Sequence, residues 1–234
     1  MLRKALYTYP NIKRSEIIDL LQNTQFIKLC TEQAFQTKFF QQFKNRYNGM
    51  PVFSRYTCEN AEKFKRAIPL FAMEPIEIYE HGKLRQTPEG IIQYDYQQHD
   101  INEIIFGLLK NKSLEKISTI DGEYGFSYLD KYNDSLDKFK VNLFKEVNPL
   151  MLDGEFADLA LQGSVYNKWG YSPDETKRIA EEYVDIITER RYGDFRIYKT
   201  TDCWSGYILG FFIAYFLFDE GKGEFWILSK DDYD

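Results

Sequence analysis

Residues 207–218, YILGFFIAYFLF, form an uncharged run followed by DEGKG and then EFWIL. A membrane-crossing helix needs roughly 20 apolar residues, so this run is too short to span a bilayer. Its aromatic and β-branched side chains suit a pleated, packed surface. Polar and apolar residues do not alternate along it, so both faces of a strand here are expected to be covered, as in the middle of a sheet. Asp219-Glu220-Gly221-Lys222-Gly223 supplies turn chemistry, and residues 224–230 return as a second strand. Gly206 and Gly210 predict a bulge or a close backbone approach. A single buried helix over 207–218 is the alternative that periodicity leaves open.

Length allows one large domain or two small ones. Aromatic residues make up 17% of the chain, with 19 Phe and 18 Tyr, enough ring area for a sizeable core. Charge is uneven. Residues 1–75 carry 12 Lys and Arg against 6 Asp and Glu, while the whole chain carries 30 against 36. A basic N-terminal third and an acidic remainder either face each other within the fold or offer a surface to a charged partner. Three cysteines (Cys30, Cys58 and Cys203) have no CxxC spacing and point to neither a disulfide framework nor a zinc site. A reducing, cytoplasmic setting is expected. The first residues, MLRKALYTYPNIKRSE, lack the apolar core of a signal peptide.

Along the chain, Ser15 is expected to cap a helix over 16–22. A longer helix is expected from Thr31 to Tyr47, with Phe35, Phe39, Phe40, Phe43 and Tyr47 on one face and Asn48-Gly49 as its stop. A short helix is possible over 59–67, and short strands over 76–79, 83–86 and 91–96. Asp100 and Glu103 have capping-box spacing ahead of a helix to Lys110. Asp121-Gly122 reads as a hairpin turn. Phe139, Val141 and Leu143 alternate with polar residues, which predicts a strand. A helix follows from Asp153 or Gly154 to about Asn167. Ser172-Pro173-Asp174-Glu175 is a capping box with proline at the first helical position, and Gly193 is the expected left-handed stop. Residues 195–200 then form a strand feeding the hairpin. The expected fold is a single α+β domain, with an antiparallel sheet centred on a hairpin at about 195–230 and packed by several amphipathic helices. A boundary near 148–150 is possible.

Four chemistries deserve weighing against plain structural roles. Cys203, in TDCWSG, resembles a hydrolase nucleophile in local composition only. Such a thiol needs a histidine base, and the two histidines, His81 and His99, both precede it. A structural thiol is the simpler reading. Asp202 with Glu220 and Lys222 has the residue types of a metal-dependent nuclease, but Gly221 places the last two in a turn. Two lone histidines without HxH, HExxH or a nearby cysteine supply no zinc site, and no Gly-rich phosphate loop is present, so no metal or cofactor is expected. Finally, Lys38, Lys44, Arg46, Arg55, Lys63, Lys65 and Arg66 interleave with Phe39, Phe40, Phe43, Tyr47, Phe53, Tyr56 and Phe64, the combination that holds single-stranded nucleic acid. The same rings are needed for a core.

The reading that follows is a binding or inhibitory protein rather than an enzyme. An acidic, tyrosine-bearing surface suits the blocking of a basic protein partner, as a toxin-neutralising immunity protein or antitoxin would do. Expected contact residues are Asp130, Tyr132, Asp134, Asp219, Glu220 and Asp232. The alternatives are an enzyme with a dispersed site, using Cys203 with His81 or His99 or assisted by a metal, and a nucleic-acid-associated protein using the basic N-terminal third.

Overall fold

A computed structural model describes residues 12–46, 52–86, 88, 90, 92, 94–114, 118–119, 122–123, 135–139, 144–163, 168–201 and 213–230. Among these residues the large sheet has six strands: β1 (Phe26–Leu29), β2 (Val52–Cys58), β3 (Lys145–Val147), β4 (Phe195–Thr200), β5 (Ile213–Asp219) and β6 (Glu224–Lys230). They pair antiparallel throughout, in the order β1-β2-β6-β5-β4-β3. The expected hairpin lies at the middle, with Ile213 opposite Lys230 and Asp219 opposite Glu224. Residues 207–212, the first half of the apolar run, lie outside the described residues.

Strand β5 explains why that run shows no alternation. Ala214, Phe216 and Phe218 face one core and Tyr215 and Leu217 the other, and none is more than 2% exposed. Each such ring contributes roughly 2 kcal/mol by leaving water. Helices cover both faces, so the α+β architecture is a sheet between two helical layers.

The first layer comprises α1 (Arg14–Asn23), α4 (Ala61–Ala67), α5 (Asn102–Leu109) and the short turn of helix α6 (Leu136–Phe139). Ile17, Leu21, Phe64, Ile104, Leu108 and Phe139 pack from it against Tyr56, Phe216, Phe218 and Phe225 of the sheet. The second comprises α2 (Glu32–Phe35), α3 (Lys38–Arg46), α7 (Leu152–Gln162) and α8 (Pro173–Thr188). There Phe39 stacks on Tyr183 at 5.1 Å between ring centroids, with Phe43, Phe156 and Ile187 alongside.

Several expectations need correcting. Helix α1 begins two residues before the expected start: Lys13, not Ser15, precedes its first turn, and the Glu16 carboxylate accepts the Lys13 backbone N–H at 3.0 Å. The single helix expected over 31–47 is two. Thr37 divides them, because its hydroxyl donates to the Ala34 carbonyl at 2.8 Å and accepts from Phe40 N at 3.2 Å. Asp100 caps α5 through Asn102 N, but Glu103 does not complete a capping box and instead accepts from Arg14 Nε at 2.5 Å. Phe139 sits in α6 rather than in a strand. Strands β1 and β2 were not expected. Residues 148–150 join β3 to α7, and the Asn148 side chain caps the intervening 3-10 turn. No helix among the described residues is long and apolar enough to cross a membrane.

Tyr183 is fully buried in the second core, and its hydroxyl has no hydrogen-bond partner among the described residues. Burial pushes its phenol well above the ordinary value. An unsatisfied buried hydroxyl costs about 1–3 kcal/mol. Tyr183→Phe should therefore leave stability unchanged or raise it by about 1 kcal/mol, as read by urea denaturation. A clear loss of stability would mean that the hydroxyl is bonded after all.

Candidate functional site

Helix α8 starts as its sequence dictates. Ser172 Oγ accepts from Glu175 N at 3.3 Å, Pro173 occupies the first turn, and Asp174 and Glu175 sit at the positive end of the dipole. Its end departs from expectation. Gly193 is not the left-handed stop. Glu189 (φ 53°) and Arg190 (φ 59°) both take that conformation instead. For side chains with a Cβ this costs roughly 1–2 kcal/mol per residue, so other contacts must hold the chain there.

Those contacts form an ionic clasp around the β5–β6 turn. Glu189 bonds Lys222 and lies 3.7 Å from Arg55 and 3.6 Å from Arg191. The Lys222 ammonium holds the Glu189 carboxyl below its ordinary range, with Arg191 and Arg55 adding to the pull against partial burial. Arg191 grips the Asp219 carboxylate with both terminal nitrogens and also reaches Asp194 at 2.7 Å. The turn closes on the same aspartate: Lys222 N donates to Asp219 Oδ1 at 3.0 Å and Gly223 N to the Asp219 carbonyl at 2.9 Å. Arg55 lies over the Trp226 ring at 5.3 Å and donates to Glu224 at 2.8 Å. Arg190 is held by Asp185 at 2.8 Å.

The outer side of this region is an acidic trench. One groove of about 540 Å³ runs along α8 over Arg178, Glu181, Glu182, Asp185, Ile186, Glu189 and Arg190. A second, of about 320 Å³, is lined by Cys30, Thr31, Glu32, Gln33, Ala34, Arg55, Ile186, Glu189 and Trp226. Ile186 and Glu189 line both, so the two grooves adjoin at these residues. Glu181 and Glu182 are exposed and make no ion pair among the described residues. Tyr192 leads away from the trench, its hydroxyl bonded to Asp185. Burial first, and that carboxylate second, push its phenol up to about 12.

The residues singled out from sequence are dispersed. Of the expected contact acids, Asp219 is 2% exposed and committed to Arg191, so it is a structural residue and not an exposed contact. Glu220 is half-buried and accepts from Arg196 Nε at 2.5 Å. Asp130, Tyr132, Asp134 and Asp232 lie outside the described residues, as do Asp202 and Cys203. His81 sits with φ 53° in the exposed turn between the two-residue strands Tyr79–Glu80 and Lys83–Leu84. His99 follows strand Tyr94–Gln98, and its backbone N–H donates to the Ala72 carbonyl at 2.8 Å. Lys222 is spent on Glu189 rather than poised beside Glu220. Of the rings interleaved with the basic residues, Phe39, Phe40, Phe43, Phe53, Tyr56 and Phe64 are at most 5% exposed, which removes them as stacking platforms for bases. Cys58 is buried, and burial pushes its thiol up to about 11, leaving it protonated at neutral pH. Cys30 is exposed at the trench edge. The sequence reading missed Glu181, Glu182 and Glu189. The acidic face of α8 was legible in its helical spacing and went unused.

Compared with protein-family models, curated protein sequences and solved structures, the chain gives no significant match.

Proposed function

We propose that this chain is a binding protein that engages and blocks a basic protein partner, with a toxin-neutralising immunity protein or antitoxin of the cytoplasm as its concrete form. The observation that carries this reading is the trench over α8. Glu181 and Glu182, exposed and without an ion pair among the described residues, stand on a capped helix beside a half-buried aliphatic floor at Ile186. Four acids (Glu181, Glu182, Asp185 and Glu189) outnumber Arg178 and Arg190 there, and a net negative cluster steers an oppositely charged partner and sets its register, while Ile186 supplies apolar area to bury. The net charge of −6 works in the same direction.

The test is to recover the partner from native lysate on the immobilised chain and to measure association with the purified pair. A stoichiometric basic protein is expected, with an association rate that falls steeply as salt rises. Glu181→Gln with Glu182→Gln should slow association by roughly tenfold and flatten its salt dependence. Recovery of an acidic partner, or a rate indifferent to both charges, would remove the proposal.

A further inference from the structure

Leu150 and Met151 are neighbouring apolar side chains exposed at 69% and 60%. Their backbone is firmly held. Pro149 fixes the start of the turn, Asn148 Oδ1 accepts from Leu150 N at 3.0 Å, and Met151 N donates to the Asn148 carbonyl at 2.8 Å. The next residue, Leu152, begins α7 and is fully buried. Exposed apolar groups are ordinary on mobile or long polar loops when scattered singly. Two together on a capped turn, anchored on both sides, are presented in a fixed position, which lowers the ordering cost of a contact.

The place of this turn supplies the second argument. It packs against the turn Tyr192–Asp194 and against β4. Tyr192 in turn bonds Asp185, a wall of the acidic trench. The apolar pair is thus linked to the α8 groove through the Tyr192–Asp194 turn and the Tyr192–Asp185 bond, with Arg190 held on the same aspartate. An apolar anchor flanked by aromatic and charged groups is the composition of an interface centre and its rim.

We infer that Leu150 and Met151 are the apolar anchor of the docking surface, covered on binding by an aliphatic or aromatic side chain from a Lys- and Arg-bearing segment of the partner whose basic residues lie in the trench. This rests on the reading of the chain as a binder of a basic protein. Charge complementarity selects the occupant: a two-fold pairing of copies of this acidic chain about the surface would set trench against trench.

The experiment pans a random peptide library displayed on phage against the full chain, then measures the enriched peptides against Leu150→Ser/Met151→Ser and against Glu181→Gln/Glu182→Gln. Both pairs of side chains are exposed, and a thermal melt of each variant checks that the fold is kept. The expected result is enrichment of basic peptides carrying a large apolar residue, with affinity falling about tenfold or more in each variant. Basic peptides that bind the Leu150→Ser/Met151→Ser variant as well as the parent would overturn the anchor and leave the proposed function standing. Enrichment of peptides without basic residues would overturn both. Concentration-dependent dimerisation lost in the Leu150→Ser/Met151→Ser variant would overturn the anchor by assigning the pair to a contact between copies.

Discussion

Replacing Gly223 with alanine should destabilise the protein by roughly 2–5 kcal/mol, because a backbone penalty and a steric one fall on the same atom. Gly223 closes the β5–β6 turn with φ +68°. A side chain there incurs the left-handed cost, and its Cβ would stand 2.4 Å from the Ala61 carbonyl oxygen, at the first turn of α4. Backbone cannot swing aside as a lysine tip can, so either the turn or α4 must shift. Gly82 provides the control. It has φ +76° with open space around it, so Gly82→Ala should show only the backbone penalty of roughly 1–2 kcal/mol. Urea denaturation of the two variants separates the effects. Equal losses would show that the approach to α4 has no weight.

Arg191→Ala is expected to cost about 3 kcal/mol, the lower end of what removing one partner from a buried ion pair costs. The low end applies because Arg191 keeps 28% of its side chain exposed, whereas Asp219 keeps 3%. Without the guanidinium, Asp219 retains the turn N–H of Lys222 and loses the cation opposite it. Arg191→Lys should restore only part of the loss, since one ammonium cannot replace the two-nitrogen grip on Asp219 or reach Asp194 at the same time. A loss of less than about 1 kcal/mol for Arg191→Ala would place the pair among ordinary surface ion pairs and refute the clasp. The clasp also fixes Glu189 where the two grooves adjoin.

What could be read from the chain divides along the range of the signals. Helix α8, β4 and the β5–β6 hairpin were legible because their determinants are neighbours in sequence: Ser172 with Glu175, and turn residues between two apolar runs. Strand β2 was not. Ser54 is fully buried and Arg55 is paired with Glu224, 169 residues away, so the polar centre of the strand reads as a loop until its partner is seen. The break at Thr37 was obscured by the phenylalanine spacing, which continues across it and favours one long helix. Asp219 has the composition of a solvated turn, and only the fold brings Arg191 to it. The same limit applies to the candidate site. Glu181, Glu182 and Asp185, with the floor residue Ile186, lie on one helix and were visible, whereas the far wall, with Trp226, Arg55 and Glu32, comes from distant segments.

The strand order gives β6 a role unlike that of its neighbours. Among the described residues, β1 and β2 do not pair with β3, β4 or β5, and β6 is the strand that bonds the two groups. Ribosomal synthesis delivers β1 and β2 well before β6, so their joining to the rest of the sheet must wait for the later strand. Joining such distant segments carries the entropic cost of closing a long loop and slows folding. The last of the six strands to be made is thus the one that turns two separate ribbons into a single sheet.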